Sequence, residues 1–369
     1  MKRATDILFL ILVCALIFGI GGAIFILPAN TFSQRENRPL AQFPTLSLPS
    51  LLDGSFFHSL SLFYTDQLPL RDRLGELYSI SELTLGKRES NRVLLRSGTL
   101  ITRTEGSSEI YKSNLDAISS FLENREDALF FCPPETAEVY SHILSNSERG
   151  LLNEIPPQPN ELSEEYLRIV RQIGADRLYY RTDHHWTTDG AYEAYRLLCG
   201  ALGEDAYEKE HFDVSVASES FLGSTYRRSS FPSSMIPPDR INLYRYAGDD
   251  SFTVTDRQKE LSTRGFYQPE ELGTSDEYRV VLGGNCAHAS VTLDGATNRK
   301  RMLLVKDSFA NSLIPFLALH YDIEMVDPRY ADPSLIQKLF ENQSFDVTLI
   351  LVSKSTLRTD RSYGRALYK

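Results

Sequence analysis

Met302-Leu303-Leu304-Val305-Lys306-Asp307-Ser308 is an apolar run that stops abruptly at three polar residues. Four consecutive apolar residues fit a strand covered on both faces, as in a parallel sheet. Helical periodicity follows from about Ser312. Downstream, residues 323–326 read as a strand ending at Asp327, 333–341 as a helix and 347–352 as a last strand. Upstream, residues 279–282 read as a strand ending in Gly283-Gly284-Asn285. Strands that alternate with helices signal an α/β protein built on a parallel sheet. Such sheets bind ligands beyond the carboxyl ends of their strands. Gly284, Asn285, Ser308 and Asp327 fall there.

The alternation extends toward the N-terminus. Residues 127–132 form a short apolar run closed by Pro133-Pro134, which fits another buried strand. Helical spacing covers 113–124, 163–173 and 189–202, and 178–180 reads as a strand entering the segment that follows it. Residues 205–275 are rich in Ser, Tyr, Arg and Pro and read as a mixed β and loop insertion that walls a groove. The main domain is taken as 92–369, opening with the apolar residues 93–95. Residues 28–91 read as a linker and a helical stalk, with two helices between 53 and 85 broken at Pro69. These helices are expected to pack on the main domain.

Residues 7–27 are an uninterrupted apolar run, long enough to cross a bilayer core as a helix. Lys2 and Arg3 precede it, leaving residues 1–6 as a cytoplasmic tail and the rest outside. A cleaved signal peptide is the alternative. The length of the run and the lack of an A-x-A site favour an uncleaved transmembrane anchor. The expected location is therefore the cell membrane, single-pass, with an extracytoplasmic domain. A formal charge of −10 and no basic stripe argue against a nucleic-acid partner. Four cysteines, none in a C-x-x-C pair, make a zinc site a poor reading and leave any disulfide unassigned.

Ser308 is the candidate nucleophile, because a strand-to-helix turn exposes its hydroxyl beside free N–H groups. Taken alone it is more simply an N-cap serine. Thr182-Asp183-His184-His185-Trp186 shifts that balance. On extended backbone Asp183 and His185 share a side, while His184 points away. Asp-x-His then supplies a carboxylate that orients an imidazole, and His185 can take the Ser308 proton. Adjacent histidines that point apart make a poor zinc pair, so no metal and no cofactor are expected. Asn285, Asn311 and the Gly284 backbone are oxyanion or substrate candidates, with an ordinary turn as the equal alternative for Gly284 and Asn285. Trp186 either forms a sugar platform or packs behind the loop, the second being favoured.

Residues 182–190, together with Lys306-Asp307-Ser308-Phe309-Ala310-Asn311-Ser312, resemble the DHHW protein family, which is related to the SGNH-hydrolase-like proteins of alginate O-acetylation. Glu36-Asn37-Arg38-Pro39-Leu40, Phe221-Leu222-Gly223, Gly283-Gly284-Asn285 and Asp327-Pro328-Arg329-Tyr330 extend the match. The resemblance implies a flavodoxin-like SGNH-hydrolase-like domain in circularly permuted order, Asp-x-His first and serine last. It assigns Asp183, His185 and Ser308 the triad roles and places Arg329 near the site. It also implies an O-acetyltransferase that acts on a cell-surface or secreted polysaccharide through an acetyl-serine, with a membrane-bound acyltransferase as acetyl donor. A carbohydrate acetylesterase and a non-catalytic envelope binding or assembly protein are the alternatives. Phe309, Cys286 and Glu135 depart from the residues common in relatives and bear on substrate contacts.

Overall fold

The computed structural model describes residues 2–368 except Thr104 and Asn124; side chains at positions 2–4, 8, 16, 17, 20, 151, 153 and 154 are also left out. The chain divides into two compact units. One comprises Asn91 and what precedes it with Arg227–Met235; the other comprises Arg92–Tyr226 with Ile236–Lys369.

The first unit contains helices α1 (Lys2–Ile26), α2 (Ser55–Asp66) and α3 (Arg71–Thr84). The break between α2 and α3 falls at Pro69, and Leu70 takes a left-handed conformation. Residues expected as a linker are clipped to the end of α2. The buried Asp66 carboxylate accepts both terminal nitrogens of Arg38 at 2.9 and 2.6 Å and the Ala41 N–H at 2.8 Å. The Glu36-Asn37-Arg38-Pro39-Leu40 motif thus has a packing role. Among the described residues no helix is long and apolar enough to cross a membrane. The membrane crossing therefore rests on the apolar sequence alone.

The second unit is built on a seven-stranded mixed sheet. In chain order its strands include β1 (Val93–Arg96) and β2 (Thr99–Thr102), a separate hairpin, and β3 (Ala128–Phe131), which joins the main sheet. The expected insertion supplies a long hairpin, β4 (Phe212–Phe221) and β5 (Asp239–Tyr246), and two sheet strands, β6 (Phe252–Asp256) and β7 (Leu261–Arg264). The last strands are β8 (His288–Leu293), β9 (Lys300–Lys306), β10 (Tyr321–Val326) and β11 (Val347–Leu351). The sheet order is β7-β6-β8-β10-β9-β11-β3. The block β10-β9-β11-β3 is parallel, while β8, β6 and β7 add antiparallel edges.

Both faces of the parallel block are covered, which is why the middle of β9 is apolar at four successive positions, Met302 to Val305. Met302 and Leu304 of β9 join one core with α5 (Glu161–Ile173) and α6 (Thr188–Leu202). Leu303 and Val305 join the opposite core with α4 (Ser108–Leu122) and C-terminal residues Leu357 and Tyr363. The helices start where short polar side chains satisfy free N–H groups. Ser107 caps α4, Asn160 caps α5 and Thr187 caps α6.

Three expected elements differ. Residues 279–282 form no strand: Glu277–Val280 is a 3-10 turn, and positive φ at Leu282, Gly283 and Gly284 turns the chain away. Residues 178–180 end a short helix, Ala175–Leu178, and make one bridge, Tyr179 to Trp186. No long helix begins at Ser312; the 3-10 turn Ser308–Ser312 leads into the four-residue helix Ile314–Leu317.

At Gly190, on α6, the backbone lies close against Leu178 and Trp186. A Cβ there would lie 2.2 Å from the Leu178 carbonyl oxygen and 2.9 Å from the Trp186 Cβ. Gly190→Ala is expected to cost about 1–3 kcal/mol through overpacking. The urea midpoint measures it; an unchanged midpoint would contradict this packing.

Candidate active site

Parallel strands place their carboxyl ends on one edge, so the segments after β9, β10, β11 and β3 meet there. Asp307 and Ser308 follow β9, Asp327 follows β10, and Ser353 lies just past β11. The Asp-x-His loop reaches the same edge. It is pinned by Thr187 N–H donating to Leu178 O at 2.9 Å and Tyr180 N–H donating to His185 O at 3.2 Å.

The two segments meet through their side chains. His185 Nε2 lies 2.8 Å from Ser308 Oγ, across a separation of 123 residues. His185 Nδ1 lies 2.5 Å from Asp183 Oδ1. Trp186 Nε1 donates to Ser312 Oγ at 2.8 Å and ties the same segments a second time. Asp183 and His185 are buried, whereas Ser308 is half-exposed. A carboxylate on Nδ1 puts the imidazole proton there and leaves Nε2 as the acceptor facing the serine hydroxyl.

Burial alone would raise the Asp183 pKa. The charges of His185 and His184 and hydrogen bonds from His185 and Ser224 hold it well below the usual carboxylate range. Ser224 N–H donates to Asp183 Oδ2 at 2.6 Å. This contact requires the preceding Gly223, since a Cβ there would lie 2.3 Å from the Asp183 Cβ. The Phe221-Leu222-Gly223 motif, which had no role from sequence, is the clamp on the carboxylate. Behind it, Asp239 accepts from Thr182 Oγ1 at 2.6 Å and from Thr182 N–H at 2.8 Å.

The Ser308 turn is clamped as well. The buried Asp307 carboxylate accepts Phe309 N–H at 3.0 Å, Ser353 N–H at 2.9 Å, Ser353 Oγ at 2.7 Å and Thr356 Oγ1 at 2.9 Å. Burial would raise its pKa, but the Arg329 guanidinium and the Ser353 hydrogen bonds lower it. Ser308 opens its turn, so its own N–H has no acceptor within that turn.

Other expected residues take varied places. Asn311 is buried and donates to Asn285 Oδ1 at 3.2 Å, while Asn285 is exposed. Gly284 is half-exposed with φ +104, and a Cβ there would meet Arg279 Nε at 3.2 Å. Arg329 binds Asp327 through two nitrogens at 2.9 and 2.6 Å, so much of its donor capacity is already used. Trp186 is fully buried and stacks on Phe131, with no face for a sugar. His184 does not point away: its ring lies 3.8 Å from that of His185 because residues 181–185 bend rather than extend.

Asp183, His184 and His185 bring potential metal-ligand atoms within 4.8 Å of one another. Those atoms are already engaged. His184 Nδ1 meets Ser224 Oγ at 2.7 Å, and the His185 nitrogens meet Asp183 and Ser308. Both Asp183 carboxylate oxygens also hold hydrogen bonds within the chain.

Sequence reasoning missed Tyr278. Its ring stacks on His185 at 4.1 Å and 7°, and its hydroxyl donates to Ser308 O at 3.2 Å. No local pattern marks it, since it lies thirty positions before Ser308 and just ahead of the residues read as a strand.

Fold and side chains define an α/β protein with an Asp–His–Ser row at the carboxyl edge of its parallel strands. The resemblance to the DHHW family is shown: residues 160–326 match the family model described as DHHW protein, and both motif segments lie inside that match. A DHHW family protein from Eubacterium siraeum has a similar structure, with a TM-score of 0.59 at 18% identity, covering 76% of this chain and 96% of that one. Bacillus cereus PatB1 is similar at 0.58 and 19% identity, covering 73% and 98%. The same protein with a sulfonyl adduct gives 0.55 and 19%, covering 75% and 100%. At such identities the likeness shows the fold. No curated protein sequence matches the chain.

Two outcomes follow. Gly223→Ala should displace the Asp183 carboxylate and lower turnover about 100-fold or more, consistent with small misplacements at reacting centres; wild-type turnover would contradict the clamp. Asp307→Asn should cost about 2 kcal/mol at pH 7, the scale of hydrogen bonds to a charged group. A folded pKa below the unfolded one makes this stability complete above about pH 4 and lost as pH falls through the folded value. Urea unfolding of both proteins at falling pH should therefore show the gap closing in acid, and a widening gap would contradict it.

Proposed function

We propose that this protein is an extracytoplasmic serine-dependent O-acyltransferase, transferring acetyl groups to a polysaccharide hydroxyl through an acyl-serine. The observation that carries the reading is the uninterrupted row from Asp183 through His185 to Ser308, at 2.5 and 2.8 Å. The order of the row along the chain is the permuted SGNH-like order that the family resemblance implies. The sulfonyl adduct in the PatB1 structure is a property of that protein. It suggests a sulfonyl fluoride as the natural probe for Ser308 here.

Each residue then has a step. Ser308 Oγ attacks the acyl carbonyl carbon as His185 Nε2 takes its proton. Asp183 keeps the imidazole in the right tautomer and stabilises its cation. The Ser308 N–H and the Asn285 amide receive the negative charge that builds on the carbonyl oxygen. The bond to the leaving oxygen breaks, and that oxygen takes the proton from His185. A sugar hydroxyl next gives its proton to His185 and attacks the acyl-serine. Ser308 Oγ leaves and recovers the proton. Water in place of the sugar gives an esterase.

Tyr278 stacks on the His185 ring and Phe309 packs against it at 4.9 Å, which limits its rotation. Ser308 is half-exposed, so its hydroxyl can be approached from outside the chain. The apolar run at residues 7–27 would tether the chain to a membrane, where a membrane-bound acyl donor is accessible.

The full-length protein is incubated with p-nitrophenyl acetate, with and without acetyl-accepting oligosaccharides. Release should fall by about 10⁴-fold in Ser308→Ala, the scale seen when a triad member is lost. Phenylmethanesulfonyl fluoride should add one sulfonyl group at Ser308, located by peptide mass spectrometry. Acetylated oligosaccharide marks a transferase, and acetate alone marks an esterase. Equal release by wild type and Ser308→Ala would refute catalysis through this serine.

A further inference from the structure

Lys306 is the last residue of β9 and is almost wholly buried, with 1% of its surface exposed. The mechanism above gives it no step. Its Nζ donates to Asn311 Oδ1 at 2.5 Å and lies 3.5 Å from Asn285 Oδ1. Asn311 is equally buried and sits three residues after Ser308 on the same turn. Its Nδ2 donates to Asn285 Oδ1 at 3.2 Å.

This arrangement has a directional logic. An ammonium group has three donors and no acceptor. The atom that Asn311 turns toward Lys306 must therefore be its carbonyl oxygen. The Asn311 NH2 group must then face Asn285, and Asn285 must answer with its own carbonyl oxygen. The Asn285 NH2 is left pointing out of the network. Asn285 is exposed, in a loop that Gly283 and Gly284 turn with φ of +68 and +104. A neutral side chain at 306 would remove the constraint, and both amides could flip. A cation at the inner end also polarises the hydrogen bonds beyond it, which strengthens the outer donor.

We propose that Lys306 is a positioning residue for the acyl-transfer centre: from within the sheet it sets the orientation of the Asn311 and Asn285 amides and so presents the Asn285 NH2 to the oxyanion formed at Ser308. The inference rests on the serine-dependent reading above. Lys306 touches neither substrate nor Ser308; it acts through two intervening amides. Its burial serves this purpose, because water at the ammonium would supply competing acceptors and loosen the chain. Removing one oxyanion donor typically costs 10²–10³-fold in turnover with little change in substrate binding.

A double-mutant cycle on the full-length protein tests it, with p-nitrophenyl acetate as substrate. The set is Lys306→Met, Asn285→Ala, the double variant, and Ser308→Ala as reference. Lys306→Met should lower kcat about 100-fold and leave KM within about twofold. In the Asn285→Ala background the same change should lower kcat by less than about threefold, because the donor it orients is gone. Asn311→Asp provides a second route: it keeps an acceptor for Lys306 but removes the donor to Asn285, and should reproduce the kcat loss. This variant carries the test if Lys306→Met does not fold. Wild-type kcat in either single variant, or full multiplication of the two losses in the double variant, overturns the role. If Ser308→Ala retains wild-type turnover, the acyl-transfer reading itself fails. An inactive Ser308→Ala beside an unaffected Lys306→Met removes only this proposal.

Discussion

One imidazole held from both ends organises the rest of the site. His185 is fixed by Asp183 on one nitrogen and meets Ser308 on the other. That arrangement requires two loops, far apart in the chain, to reach the same sheet edge within about an ångström, because misplacement on that scale costs orders of magnitude in rate. Several contacts serve this end. The Trp186–Ser312 hydrogen bond crosses between the loops. The Asp307 carboxylate gathers four donors around the serine turn. Gly223 lets a third segment come close enough to grip Asp183. Each of these is buried, where a hydrogen bond left unmade is expensive. The site is thus rigid for the same reason that the surrounding core is stable.

The parallel block was legible because its strands face cores on both sides. Such strands are apolar where they meet those cores, and residues 302–305 and 349–351 show that. The antiparallel strand His288–Leu293 was not legible. It is short, and its sequence resembles a loop followed by a few β-branched residues. Residues 279–282 misled for the opposite reason: an apolar pair there fills the core from a 3-10 turn, which periodicity over four residues cannot separate from a strand.

The site divides in the same way. Asp183 and His185 were readable because their spacing is local. Ser308 was readable because a strand end predicts a turn. What decides the quality of the site comes from distant residues, and no local pattern announces it. Tyr278 under His185, Gly223 against Asp183 and Lys306 behind Asn311 are all of this kind. Arg329 shows the converse. Its motif is present, but Asp327 takes two of its guanidinium nitrogens, which sequence proximity alone could not establish as a bidentate pair.

The central claim is that His185 carries its proton on Nδ1, against Asp183, and leaves Nε2 free for Ser308. Nitrogen-15-edited proton NMR of His-labelled protein at neutral pH reads this tautomer directly. The account predicts a strongly downfield Nδ1–H signal from one histidine, lost in Asp183→Asn and shifted in Ser308→Ala. A His185 protonated on Nε2, or a downfield signal that survives Asp183→Asn unchanged, would contradict it.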